Sequence, residues 1–237
     1  MIDISRHKEL FNPETFFHPV TIIGAGATGS WLAIALAKLG IENITVYDFD
    51  IVEEHNIANQ AYSILGCNFD AQPLDLLYTP KFGDIGKSKV FALEEHIFIS
   101  TGTTITVHNE PFTNQRLSGI VFLMVDSMKT RKEIWEASIK MKTSVVHLIE
   151  PRMGLDVGRI YNVSPCNLEH IKQYENTYYN DDVAEVSACG NSMTVISSAL
   201  GIASWCVRQL INFHNNIELD NEILIDFKYN NVFTTKW

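Results

Sequence analysis

The stretch VTIIGAGATGS, residues 20–30, decides the expected fold of this chain. Its apolar run ends at Gly24, and Gly24, Gly26 and Gly29 have the spacing G-x-G-x-x-G. This spacing is typical of a β-strand that turns into an α-helix around a phosphate, because glycines admit the phosphate close to the backbone and the helix N-terminus attracts it. The loop alone leaves three readings open: a dinucleotide site, an ATP site, or a strand and helix that bind no ligand.

The residues that follow the loop extend it into a β-α-β unit. Residues 27–40 are apolar nearly all round, which predicts a buried helix packed on a sheet. The segment NITVYDFD, residues 43–50, predicts the next strand, and its Asp48 comes 19 residues after Gly29. An acidic residue at about this distance binds the ribose hydroxyl groups in nucleotide-binding units of this kind. The spacing therefore favours a bound nucleotide over an empty loop.

Further strands and helices follow, and they predict an α/β fold with a Rossmann-like mixed sheet. The first half is expected to be parallel, and the later strands antiparallel, with helices on both faces. We expect a single domain over residues 1–237, with a nucleotide-binding half at 18–150 and a mixed-sheet half at 151–237. The further predicted elements are helices at 87–99, 127–141 and 191–214, strands at 103–109, 119–127, 143–150 and 154–165, and a terminal hairpin turning at Asn230-Asn231.

The composition excludes several classes of protein. The net charge is -10 and no basic patch is evident, so a nucleic acid is not expected to be the main partner. The apolar runs are far shorter than the roughly 18 residues that span a bilayer, and residues 1–17 resemble no targeting peptide. No membrane association and a cytoplasmic location are therefore expected. The four cysteines are widely spaced, which predicts neither a disulfide framework nor a four-thiolate zinc site.

Two charged residues distinguish ATP from a dinucleotide. A reacting triphosphate needs a cation for its outer charge, a carboxylate that holds Mg²⁺ and polar side chains that fix the phosphates. Lys89 opens a predicted helix, and Asp126 ends a predicted central strand, where ligands bind in such sheets. This combination favours ATP with Mg²⁺. The residues considered together for this site are Asp48, Asp50, Asn56, Gln60, Lys89 and Asp126.

Several motifs together resemble the ThiF/MoeB/HesA family, which includes the adenylation domains of ubiquitin-activating enzymes. The matching pieces within residues 20–131 are IIGAGATGS, ITVYDFDIVEEHNIANQ, DIGKSKV and VDSMKTR. The later segments MGLDVGRIYNVSP and EVSACGNSM continue the order of the family, so the resemblance covers most of the chain. The combination of motifs is specific, whereas the first motif alone is not.

The resemblance implies adenylation of the C-terminal carboxylate of a small ubiquitin-like or sulfur-carrier protein that ends in a Gly-Gly-type sequence. It also implies a homodimer. In this reading the three glycines admit the phosphates, Asp48 binds the ribose, and Asp126 holds Mg²⁺. Asn56 and Lys89 would bind phosphate oxygens, so Lys89 and the metal should matter most to the rate.

The chain departs from the family pattern at Asn59, which stands where the family has an arginine before Gln60. Asparagine brings no charge and cannot replace a guanidinium on the outer phosphates. Arg131 matches a family arginine and either supplies part of the missing charge or is a solvated helix residue near Glu133 and Glu136. The zinc cysteines of bacterial family members are absent. A zinc site built from Cys166, Glu169 and His170 is not preferred.

Cys189 is the thiol with a possible chemical role. It lies just before the long predicted helix, where the eukaryotic activating enzymes that the chain resembles carry the cysteine that receives the activated carboxylate. A helix N-terminus lowers the pKa of a thiol, but a small buried cysteine is the commoner role. Cys206 and His147 are expected in the core. Arg152 either contacts an incoming carboxylate or forms a structural salt bridge with Glu150 or Asp156.

Two other functions stay open from the sequence. A non-catalytic, nucleotide-binding scaffold subunit would keep the fold, and Asn59 favours it. An NAD-dependent oxidoreductase would use the same glycine loop, but no acid-base pair suited to a nicotinamide is identifiable.

Overall fold

The computed structural model describes residues 2–64, 83–180 and 195–237, and the strands within them form one eight-stranded sheet. The strand order is β3-β2-β1-β4-β5-β6-β7-β8. The strands are β1 (Val20–Ile23), β2 (Ile44–Tyr47), β3 (Thr106–His108), β4 (Gly119–Leu123), β5 (Val145–Met153), β6 (Val157–Val163), β7 (Glu222–Asp226) and β8 (Asn231–Thr235).

The first five strands are parallel, and the order of connection reverses at β1. Strand β1 pairs with β2 on one side and with β4 on the other, and β3 and β5 extend the sheet outward in parallel. Ligands of open α/β sheets bind beyond the carboxyl ends of the strands at such a reversal. The topology therefore places the expected binding crevice at the carboxyl ends of β1, β2 and β4.

The remaining strands are antiparallel, as the sequence predicted. Strands β5 to β8 pair consecutively with their neighbours, and the hairpin between β7 and β8 turns over residues 227–230, slightly before the predicted Asn230-Asn231. Together with the parallel strands they make the predicted Rossmann-like mixed sheet, so the fold class is confirmed.

Helices cover both faces of the sheet and bury two apolar clusters. Helices α1, α2 and α5 contribute to the larger cluster, and α3 and α4 contribute to the smaller one, around Trp135 and Tyr174. Helix α1 is buried along much of its length, as its apolar sequence predicted. The helices are α1 (Ala27–Lys38), α2 (Lys89–Thr101), α3 (Met128–Ile134), α4 (Leu168–Asn176) and α5 (Ile196–His214).

Two predicted segments differ from the structure. Residues 127–141 do not form one regular helix, because α3 ends at Ile134 and a π-helical turn, Trp135–Ile139, follows it. Helix α4 lies within 164–190, a polar stretch without a predicted element. It starts after the N-cap Asn167 and buries only Ile171 and Tyr174, so its apolar signal is small. Part of the predicted helix 191–214 lies outside the described residues. In the described part, no helix has the length and apolar character that crossing a bilayer requires.

His147 is a buried core residue, as predicted, and it makes stability depend on pH. Burial lowers its pKa from 6.5 to about 4. In the unfolded chain His147 therefore binds a proton below pH 6.5, whereas in the folded protein it does so only below about pH 4. We expect His147 to cost about 2 kcal/mol of unfolding free energy between pH 7.5 and pH 5. His147→Gln should remove this pH-dependent loss. The unfolding free energy of the variant, measured with urea, should therefore lie closer to that of the wild type at pH 5 than at pH 7.5. An unchanged difference would contradict the prediction.

Candidate functional site

The predicted site residues follow three neighbouring strands. The register pairs Ile23 of β1 with Tyr47 of β2 and with Leu123 of β4, so all three strands end at the same level. The glycine loop follows β1, Asp48 follows β2, and Asp126 follows β4 after two further residues. The glycine loop, Asp48 and Asp126 therefore all lie at the carboxyl edge of the sheet, where ligands of such sheets bind.

The three glycines of the loop have different roles. A Cβ on Gly24 would lie 2.8 Å from the Met124 carbonyl oxygen, and the φ angle of Gly24 is +104°. A Cβ on Gly29 would lie 1.9 Å from the Gly24 carbonyl oxygen. Gly24 and Gly29 are thus required by close packing. A Cβ on Gly26 would meet nothing within 4 Å, and Gly26 is the N-cap of α1 without a side-chain cap. The loop is therefore open where it meets the helix, as the binding of a phosphate at a helix N-terminus requires.

Asp48 is held against this loop by two backbone amides. Its Oδ2 accepts a hydrogen bond from the amide of Ala25 at 2.6 Å, and its Oδ1 accepts one from the amide of Asp50 at 2.8 Å. Each carboxylate oxygen retains capacity for a further donor. The carboxylate is thus oriented for hydroxyl donors of a ligand beside the glycine loop.

Lys89 lies at the start of α2 and is tied to the exit of β2. Its Nζ donates to Asp50 Oδ2 at 2.8 Å, and its backbone amide donates to the Asp50 carbonyl at 2.9 Å. The Lys89 side chain is 9% exposed, whereas that of Asp50 is 50% exposed. A chain of contacts therefore runs from Lys89 through Asp50 and Asp48 to the glycine loop.

Asp126 lies on the opposite side of β1 from Lys89. It is exposed, and it stands two residues after Met124, whose backbone contacts Gly24. Because adjacent strands are about 4.8 Å apart, the exits of β2 and β4 are separated by about 10 Å across β1. Lys89 and Asp126 thus flank the glycine loop at one edge of the sheet.

Residues 56–62 pack over the start of α1. The indole nitrogen of Trp31 donates to the Asn59 carbonyl at 3.1 Å, and the amide of Ala61 donates to Ser30 Oγ at 3.0 Å. The Tyr62 hydroxyl donates to the Ala25 carbonyl in the glycine loop at 2.7 Å. No spacing in the sequence indicated this role of Tyr62, because the contact joins residues 37 positions apart.

Asn56 and Gln60, both predicted to bind nucleotide, are buried in this segment. The side-chain oxygen of Asn56 accepts from the Glu53 amide at 2.9 Å, within a capping box. Asn56 would therefore contact a phosphate through its amide nitrogen. The side-chain oxygen of Gln60 has no hydrogen-bond partner among the described residues, so it could accept a hydrogen bond from a ligand or water.

Arg131 is buried, so the reading of a solvated helix residue is wrong. Its guanidinium binds Glu150, which is itself fully buried, and donates to the carbonyls of Leu123 and Val125. Arg152 binds the same carboxylate at 2.9 Å, which confirms the structural salt bridge for that residue. Neither guanidinium reaches into the crevice as an unengaged charge.

The cysteines divide between described and undescribed parts of the chain. Cys189 and Cys67 lie outside the described residues. Cys206 is buried in α5, where burial raises the pKa of its thiol, so the predicted core role is confirmed. Cys166 is exposed. In the described ranges, no group of three acidic, histidine or cysteine side chains could hold a metal ion by itself.

The comparisons with known proteins support the sequence resemblance and the fold. The model of the ThiF family matches residues 16–64, which contain the glycine loop and Asp48, so the resemblance to this family is confirmed. No protein with a curated description matches the chain.

Solved structures show the same fold over nearly the whole chain. The structure of PaaA has a TM-score of 0.66 and 17% identity, and the match covers 99% of this chain and 69% of PaaA. E. coli MccB solved with ATP has a TM-score of 0.63 and 15% identity, covering 94% of this chain and 65% of MccB. MccB solved with AMPCPP and MccA has a TM-score of 0.63 and 16% identity, with the same coverage. This chain thus spans about two-thirds of the length of these proteins.

The glycine geometry predicts a large loss of stability for one alanine substitution and a small loss for another. Gly29→Ala places a Cβ against backbone and should lower the unfolding free energy by about 3 kcal/mol or more. Gly26→Ala enters open space at a φ of -76°, so it should cost at most about 1 kcal/mol, the difference between glycine and alanine as N-cap. Urea unfolding of both variants beside the wild type measures the difference. Equal losses would show that the packing of the loop has been misread.

Proposed function

We propose that this protein binds ATP with Mg²⁺ and adenylates the C-terminal carboxylate of a peptide or small protein. The observation that carries the proposal is the arrangement at the carboxyl edge of the sheet. An open Gly26, a carboxylate at Asp48 and opposite charges at Lys89 and Asp126 all lie at this edge, beside the glycine loop. The ThiF-family match and the MccB structures with ATP support the choice of nucleotide.

In the proposed reaction, a carboxylate oxygen of the partner attacks the α-phosphorus of ATP. The bond from the α-phosphorus to the bridging oxygen breaks, and pyrophosphate leaves with the electron pair, so an acyl-adenylate forms without a proton transfer. Asp48 accepts hydrogen bonds from the ribose, and the backbone around Gly26 and the start of α1 faces the phosphates. Lys89 would stabilise negative charge on the phosphate oxygens, and Asp126 would hold Mg²⁺, which would neutralise charge on the leaving group.

The choice of partner rests on the need for a carboxylate that attacks ATP and on the resemblance to the ThiF/MoeB/HesA family. MccB, whose fold is similar, has been solved with AMPCPP and MccA together, so that protein binds a nucleotide and MccA at the same time. For this chain we propose a small ubiquitin-like or sulfur-carrier protein with a Gly-Gly-type C-terminus, activated by a homodimer.

Exchange of labelled pyrophosphate into ATP, with candidate carriers added, tests the proposal. Lys89→Ala and Asp126→Ala should each reduce exchange by about 100-fold or more, because each removes charge that stabilises the transferring phosphates. Lys87→Ala and Asp156→Asn are matched controls. Lys87 pairs with Glu95 and Asp84, and Asp156 is exposed in the turn before β6, so both variants should keep the wild-type rate.

One observation favours a second candidate, a scaffold subunit that binds nucleotide without turnover. Asn59 stands at the family arginine, and Arg131 and Arg152 are both engaged by Glu150. ATP binding without exchange, for every carrier tested, would support the scaffold. Tighter binding of NAD than of ATP would contradict both functions.

We also propose that the Cys189 thiolate attacks the acyl carbon of the adenylate. The bond from that carbon to the AMP oxygen breaks, AMP leaves with the electron pair, and a thioester forms. Cys189→Ser should abolish a carrier adduct that is sensitive to thiols, while pyrophosphate exchange continues at the wild-type rate, because adenylation precedes the transfer. Gel electrophoresis with and without reductant detects the adduct. Cys206→Ser is the matched control, because that thiol is buried. An adduct that persists in the Cys189 variant would assign the thiol a structural role.

A further inference from the structure

The backbone that carries Asp126 leaves the sheet before it reaches the crevice. The pairing of β4 with β1 ends at Leu123, with one further hydrogen bond from the Met124 amide to the Ile23 carbonyl at 2.7 Å. Because the Met124 amide faces β1, the Leu123 carbonyl faces β5 on the other side. There the pairing with β4 ends at Phe122 and Ile149, and Pro151, two residues further along β5, has no amide hydrogen to donate. Buried carbonyls need a donor from elsewhere.

Arg131 provides these donors from the second turn of α3. Its Nη1 donates to the Leu123 carbonyl at 3.2 Å, and its Nη2 donates to the Val125 carbonyl. The guanidinium is 5% exposed and is held in place by the carboxylate of Glu150, which has no exposed surface. One planar group thus binds the residues on both sides of Met124, immediately before Asp126.

The cost of burying the Arg131 charge indicates that the contact orients the backbone rather than adding stability. Buried ion pairs contribute little net stability, because removing two charges from water offsets their attraction. An arginine can bind two carbonyls and a carboxylate with one rigid, planar group, which neither lysine nor an apolar side chain can do. Met124, which Arg131 brackets in this way, is also the residue whose backbone lies against Gly24.

We propose that Arg131 is a positioning residue that fixes residues 123–126 and thereby aims the Asp126 carboxylate at the metal. Glu150 orients the guanidinium and does not touch the ligand. The inference rests on the proposed function, because it assigns to Asp126 the binding of Mg²⁺. It replaces the expectation that Arg131 supplies charge directly to the phosphates, and it explains why the arginine follows the aspartate by five residues on the next helix.

Arg152 offers a matched control within the same cluster. It binds the same carboxylate of Glu150 and is similarly buried, at 7% exposure. Its remaining hydrogen bonds go to Thr177, at 2.7 Å to the carbonyl and 2.9 Å to the hydroxyl, and its guanidinium lies over the ring of Tyr161. Within the described residues it makes no hydrogen bond to the carbonyls of Leu123 or Val125.

The test compares Arg131→Lys with Arg152→Lys in the full chain. Amide hydrogen exchange in a peptide covering residues 123–128 reports the backbone without any ligand. Binding of ATP is then titrated with Mg²⁺, and Mn²⁺ is used as a spectroscopic probe of the same metal site. We expect Arg131→Lys to speed amide exchange in this peptide and to raise the half-saturating metal concentration at least 10-fold. Affinity for AMP should stay within about twofold of wild type. Arg152→Lys should leave all three measurements near wild type.

The other outcomes contradict either the positioning role of Arg131 or the proposed function. If wild type binds ATP with metal and Arg131→Lys matches it, or if both lysine variants change metal binding equally, the positioning role is wrong and the proposed function stands. If wild type binds no nucleotide, the proposed function fails and the inference fails with it. Arg131→Gln, which keeps one donor amide, is the second variant. Loss of folding in both Arg131 variants, with Arg152→Lys folded, would make Arg131 a stability residue and overturn the proposal.

Discussion

The close packing of the glycine loop against the exit of β4 is the constraint on which the arrangement of the crevice depends. Gly24 lies against the backbone of Met124, and Gly29 lies against Gly24, with no room for a Cβ at either position. This packing sets α1 directly beyond β1 and holds the path of β4 next to it. Residues that follow β4 are thereby carried to the same crevice as the start of α1. A small local requirement thus determines which distant residues meet.

The polar contacts then fix the two sides of the loop by different means. On the β2 side, Asp48 binds the amide of Ala25, and Lys89 is tied to Asp50. On the β4 side, the carbonyls before Asp126 are bound by a buried guanidinium. The β2 side is built from Asp48 and Asp50, which directly follow β2, and from Lys89 at the start of α2. The β4 side depends on the carboxylate of Glu150 in the neighbouring strand β5.

This difference explains what could be predicted from sequence. The strand, loop and helix around Gly26 follow from local backbone requirements, and the position of Asp48 follows from the length of one β-α-β unit. The binding of Arg131 to Glu150 joins side chains 19 residues apart, on different elements, and no local pattern encodes such a pair. The helix α4 was missed for a related reason. It is only nine residues long and buries two apolar side chains, Ile171 and Tyr174, so its apolar pattern is too short to stand out in a polar stretch of sequence.

For the proposed function, the charges around the loop limit the form in which a nucleotide could enter. Asp48, Asp50 and Asp126 bring carboxylates to the crevice, and the ammonium of Lys89 is already paired with one of them. A triphosphate carries several negative charges, and like charges at short range repel strongly where water is excluded. In the proposed function, a divalent cation bound to the phosphates would reverse this balance, because it would convert the carboxylate of Asp126 from a repulsive neighbour into a ligand. With asparagine at position 59, this chain would depend on the metal more heavily than a protein that has an arginine there.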